Sequence, residues 1–179
     1  MKPTSAQLNR ATELRRKSVL KSIAKRSQKA RNGAVAKVKP KKVKINSVSY
    51  KKAKAKAWTE FSLWVRLSAA NSRGYAACVT CGAIKHYKRL QAGHFVPGRG
   101  NAILFDERGV HPQCFGCNIF KHGNPRMYNR WMKKHYGQAV IDELDDLSLT
   151  SRKYTIPDLV KLSTYYHDLT VQLLKKVYS

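Results

Sequence analysis

CVTC at residues 78–81 and CFGC at residues 114–117 decide how this chain is read, with AGHF at residues 92–95, and its His94, between them. The chain has four cysteines, and all of them fall in these two pairs. A C-x-x-C turn offers two thiolates to one ion, and two such turns complete a tetrahedron. No secretory signal or apolar run of membrane-spanning length is visible, so the expected setting is cytoplasmic, where thiols stay reduced. The pairs therefore read as metal ligands before they read as disulfides. Cys78, Cys81, Cys114 and Cys117 are expected to hold one structural Zn2+. Four thiolates leave zinc no open position, so this ion shapes the fold and is not the catalytic metal.

Charge points to the partner. The 179 residues carry 36 Lys+Arg against 10 Asp+Glu, a net charge of +26. Such an excess repels itself and suits a phosphate backbone. Charge alone does not separate DNA from RNA, or binding from cutting. It is also uneven: residues 1–57 hold 19 Lys+Arg and one acid, Glu13. Two regions are expected. Residues 1–48 form a basic arm and linker, helical over 5–30 or ordered only on nucleic acid. Residues 49–179 form the folded domain.

Outward from the cysteines, periodicity gives the elements. Tyr50 to about Ser72 is helical, with Trp58, Phe61, Trp64 and Val65 on a broad apolar face. LQAGHF reads as a short strand, residues 97–101 as a loop, and ILFDERGVH as a second extended stretch. The residues after Cys114 are expected to start a helix, giving a β-hairpin followed by a helix. NPRMYNRWMKKHYG is a helix opened by Pro125 and stopped by Gly137. QAVIDELDDL is another. The segment from Ile156 is a longer amphipathic helix with Pro157 and Asp158 at its start.

With zinc structural, His94 is free for chemistry. The hairpin is expected to set it against a polar helix face carrying Asn118, Lys121 and His122. His94 would take a proton from water, and a divalent cation at the scissile phosphate would be held partly by the Asn118 amide oxygen. Lys121 could hold a neighbouring phosphate, and Arg99, in the loop PGRG, could contact another. His86, His135 and His167 carry no motif and read as surface residues.

AGHF, FDERGVHPQC and CNIFKHGN together resemble the HNH, or ββα-metal, endonucleases. More closely, with YGQAVIDEL and KYTIPDL, they resemble the lambdoid phage NinG (Rap) recombination proteins over about Trp58 to the C-terminus. The resemblance implies an α+β fold: a zinc-stapled ββα-metal (HNH-like) core surrounded by helices. It implies an endodeoxyribonuclease acting on branched DNA such as Holliday junctions and D-loops, assisted by Mg2+ or Mn2+. His94 then matches the general base, with Asn118 and His94 at the catalytic ion. Lys121 matches the lysine of the C-N-x-x-K helix, and His111 a histidine just before the second cysteine pair. Two positions depart from the HNH pattern. Gly93 stands where an Asp or His ligand is usual, and Gly109 where the middle Asn orients the base. His111, then Glu107, then Asp106 are the expected substitutes. Resolving a junction takes two cuts, so a homodimer is expected by analogy.

Two other readings compete. A non-catalytic zinc module that binds nucleic acid needs the zinc and the charge but neither His94 nor Asn118. A sequence-specific HNH endonuclease shares the chemistry but would cut linear duplex at one sequence.

Overall fold

The computed structural model describes residues 49–98 and 100–177. The expected basic arm and Arg99 lie outside the described residues.

Helix α1 spans Tyr50–Ser68, and Ser49 caps it by accepting the Lys52 N–H. Ala53, Ala57, Phe61 and Val65 recur every four residues and are buried. They face helix α4, Ile156–Val177, which opens with a reciprocal cap. There Thr155 donates its N–H and O–H to Asp158 Oδ2 at 2.9 and 2.7 Å, and the Asp158 N–H returns to Thr155 Oγ1. Phe61 and Tyr166 meet edge to face, with centroids 4.8 Å apart, at the centre of this helix pair.

Two small antiparallel hairpins follow α1. Strand β1 (Tyr75–Ala77) pairs with β2 (Ile84–His86) and carries the first cysteine turn. Strand β3 (Leu90–His94) pairs with β4 (Val110–Cys114), with Gly93 opposite His111 and His94 opposite Val110. Ala92 and Val110 join the core built on α1 and α4. Arg66 ties α1 to the hairpin by donating to the carbonyls of Tyr87 and Leu90.

The second strand is shorter than expected and begins later. Residues 101–105 are turns, in which Ile103, Leu104 and Phe105 are nonetheless buried. Asp106 then accepts the Arg108 N–H and sets one 3-10 turn over Glu107–Gly109. Its apolar residues go inward from a turn, so burial there does not signal extension.

The expected helix after Cys114 is also shorter. A single π turn covers Gly116–Phe120, closed by the Lys121 N–H on the Gly116 carbonyl. His122 and Asn124 at φ 47° and 50°, with Gly123 at 86°, bend the chain out of helix. The long helix α2 starts only at Pro125 and runs to Tyr136. Gly137, at φ 82°, separates it from α3, Gln138–Ser148, where the sequence placed the stop. Tyr128, Met132, Ile141 and Leu144 bury the contact between α2 and α3, with Phe95 and Val96 against them. The architecture is mixed α+β. Among the described residues, no helix is long and apolar enough to cross a membrane.

Candidate functional site

The four cysteines converge. One Sγ from each of Cys78, Cys81, Cys114 and Cys117 lies within 4.8 Å of all the others. Cys81 and Cys114 stand 3.7 Å apart, close to the roughly 3.8 Å tetrahedron edge that Zn–S bonds of about 2.3 Å require. The first turn is closed by the Gly82 N–H on the Cys78 carbonyl, with Gly82 at φ 75°.

Protonation of the thiols is consistent with a cation. Burial pushes Cys78 up, but hydrogen bonds from Thr80 and from backbone N–H groups prevail and bring it down to about 6. Cys81 is pushed up to about 12, by burial first and then by the other thiols, against a backbone hydrogen bond at Ala83. Cys114 is also raised, chiefly by burial. Cys78 thus ionises readily while Cys81 and Cys114 resist, a cost that a dication removes. These residues fit zinc.

The hairpin register sorts the candidate residues by face. Side chains of paired residues share a face and alternate along each strand. Gln91, Gly93, His111 and Gln113 lie on one face, while Ala92, His94 and Val110 lie on the other. The expected direct meeting of His94 and Asn118 is therefore not what the register produces.

His94 ends β3 on the α1 face. Trp58 of α1 stacks on its ring, with centroids 5.0 Å apart and planes 16° from parallel. Its Nε2 is 3.3 Å from the Leu104 carbonyl, which only accepts. The proton then sits on Nε2, and Nδ1 is the basic nitrogen of the neutral ring. The sequence gave no sign of Leu104, because a backbone carbonyl in a turn carries no residue signature. Trp58, on the apolar face of α1, reads from sequence as a packing residue.

Asn118, in the π turn, lies on the Gly93 face. Its Nδ2 donates to Gln91 Oε1 at 2.8 Å, and a Cβ at residue 93 would stand 3.0 Å from its Oδ1. The same Cβ would overlap Gln113 Oε1. Gln113 is fully buried, and its Nε2 donates to the Gly123 carbonyl at 2.7 Å and to Thr80. A carbonyl cannot donate, so the nitrogen belongs on that side and Oε1 is aimed at Gly93. Among the described residues, no hydrogen bond reaches this buried oxygen. Sequence reasoning missed Gln113 and Gln91. The signal was present in the alternation, since 91, 93, 111 and 113 share a face once the register is known.

His111 does not serve as the substitute ligand expected of it. It is 8% exposed. Its Nδ1 is 3.0 Å from the Tyr128 hydroxyl and its Nε2 3.0 Å from the Tyr136 hydroxyl. Tyr128 spends its own proton on the Gly93 carbonyl. Nδ1–H must then donate to Tyr128, and Nε2 accepts from Tyr136. Burial, and secondarily the charge of His135, lowers the His111 pKa to about 4. A neutral imidazole with both nitrogens committed is a structural link between β4 and α2.

The carboxylate substitutes are engaged elsewhere too. Glu107 accepts from the Tyr166 hydroxyl at 3.0 Å. Asp106 is bound through both oxygens by Arg108, which also reaches Glu143. Lys121 and His122 are exposed and follow the π turn, so they do not continue a helix face with Asn118. Of the motifless histidines, His135 and His167 are exposed, while His86 is half-buried.

A family model described as "Bacteriophage Lambda NinG protein" matches residues 3–176. Among curated proteins, Protein ninG of Escherichia phage 933W is 33% identical over 69 residues, 38% of this chain and 34% of that protein. Protein ninG of Salmonella phage P22 matches to the same extent. Protein ninG of Escherichia phage lambda is 28% identical over 90 residues, 50% of this chain and 43% of that protein. The matches span from about a third to under half the length of these relatives. No solved structure matches the chain. The family match covers nearly every residue, including both cysteine pairs and the hairpin between them, and the chain belongs to the NinG family.

Proposed function

We propose that this chain is a metal-dependent endonuclease of the ββα-metal (HNH) type that cuts DNA near a branch during phage recombination. One observation carries the reading. His94, at the end of a hairpin closed by a thiol cluster, is held by Trp58 and the Leu104 carbonyl with Nδ1 as its basic nitrogen. The Leu104 carbonyl does the orienting that a middle Asn at Gly109 would otherwise do.

His94 and Asn118 occupy opposite faces, but Gly93 and His94 are consecutive, about 3.3 Å apart along the strand. Among the described residues, β3 pairs with β4 alone. A phosphodiester laid across the end of β3 would meet His94 on one face and the Asn118 amide oxygen beside Gly93 on the other. Asn118 Oδ1, half-buried beside Gly93, would hold a Mg2+ or Mn2+ together with the phosphate and water, and the ion would supply charge neutralisation at the leaving oxygen. His94 Nδ1 takes the proton of the attacking water. Lys121, exposed beside the turn, neutralises an adjacent phosphate. The thiol-bound zinc stays structural. Two cuts at one junction call for two copies of the chain.

Nicking of a branched duplex in Mg2+ tests this. Wild type cuts, and His94→Ala binds without cutting. Equal behaviour of the two proteins favours the second reading, a zinc module that binds nucleic acid without catalysis. The opposite-face placement of His94 and Asn118 and the missing carboxylate at Gly93 favour that alternative. Cutting of linear duplex at one sequence, indifferent to branches, would point instead to a sequence-specific enzyme.

A further inference from the structure

Phe115, Ile119 and Phe120 are 51%, 47% and 75% exposed. All three belong to the short segment that holds Cys114 and Cys117. The Phe115 and Phe120 rings meet edge to face, with centroids 5.2 Å apart. Beneath them the backbone is fixed by the thiol cluster and the π turn. Asn118, within the same turn, points to Gln91 instead. The turn thus sends its amide inward and its aromatic rings into solvent.

Two exposed aromatic rings on a rigid turn leave an apolar surface that water solvates poorly. The chain carries +26, and exposed Lys121 directly follows Phe120. An occupant must be polyanionic and must also present flat apolar faces. Paired duplex DNA meets only the first condition, because its bases are stacked and closed. Splayed or single-stranded bases meet both.

We propose that Phe115 and Phe120, on the segment that also carries Asn118, form a stacking platform for unpaired bases that holds a branch point. The proposal rests on the nucleic-acid reading above and supplies its preference for branches over plain duplex. It does not require cutting.

Binding of the full chain without divalent metal separates the two ideas. Affinities are measured by anisotropy for a four-way junction, for single-stranded DNA and for fully paired duplex of equal length. Phe115→Ala/Phe120→Ala is expected to lose roughly tenfold or more on the junction and single strand, and less than about twofold on duplex. 2-Aminopurine at the branch should report stacking with wild type and none with the double variant. Phe120→Trp should keep the affinity, and its emission should fall on binding oligo(dT), which guards against a folding defect in the alanine variant. Equal losses on all three DNAs, or no loss, overturn the platform. A shift from dimer to monomer in sedimentation with DNA binding unchanged also overturns it, assigning the patch to a second copy of the chain. Absence of nicking in Mg2+ would count against the endonuclease and leave the stacking result standing.

Discussion

Gln113 Oε1 occupies the space in which a side chain at Gly93 would begin. Glycine at 93 is thus a packing requirement, set by an amide on the neighbouring strand whose nitrogen is anchored at Gly123 and Thr80. Gly93→Ala should cost about 1–3 kcal/mol in urea unfolding, the range for an overpacked interior site. Its cost should be smaller in a Gln113→Ala background, because the obstructing oxygen is gone. Equal costs in both backgrounds would show that the amide swings away freely.

The buried His111 makes stability depend on acid. Its folded pKa, about 4, lies below the ordinary value of 6.5. Between these values the unfolded chain binds more protons, so stability rises with pH. The contribution is complete above about pH 6.5 and is lost as pH falls toward 4, amounting to roughly 3 kcal/mol. His111→Phe should flatten the profile in that window, as measured by denaturant midpoints from pH 7 to 4. Tyr136→Phe removes the donor to Nε2 and should lower stability at pH 7 without abolishing the acid dependence.

Metal analysis should find one zinc per chain. Removing it with a strong chelator should unfold the β1–β2 and β3–β4 hairpins together, since the four thiols join them. Cys117→Ser should lose the metal and show the same loss of protease resistance over residues 75–120. Retention of both after chelation would mean that hydrophobic packing alone holds the cysteine turns.

Trp58 positions His94 by stacking. On the proposed endonuclease reading, Trp58→Ala should reduce nicking by about 10-fold to 100-fold through misplacement of His94, with junction affinity within about twofold. Trp58→Phe should recover most of the rate. Recovery by phenylalanine in the pH–rate profile as well as in the rate distinguishes ring positioning from general destabilisation.

Much of the fold was legible because its signals are local. Pro125, Gly137 and the Thr155–Asp158 cap mark helix ends through φ preferences and hydrogen bonds that span a few residues. The burial of Phe61 and Tyr166 followed from helical spacing. ILFDERGVH misled because its apolar residues are buried from a turn, where the period-2 rule does not apply. The helix after Cys114 fell short because His122, Gly123 and Asn124 take positive φ, which a right-handed helix does not admit.

The sequence by itself determined the thiol cluster, since two C-x-x-C turns have one economical way to share an ion. It also determined the apolar stripes of α1 and α4, while the meeting of those two stripes was decided by tertiary structure. Tertiary structure alone decided what each hairpin residue faces. A slip of one residue in the β3–β4 pairing would move every side chain to the opposite face. The observed register is fixed by Ala92 and Val110 packing on α1 and by His111 docking on α2. Those long-range contacts put His94 under Trp58, turned Gln113 toward Gly93 and took His111 out of solvent.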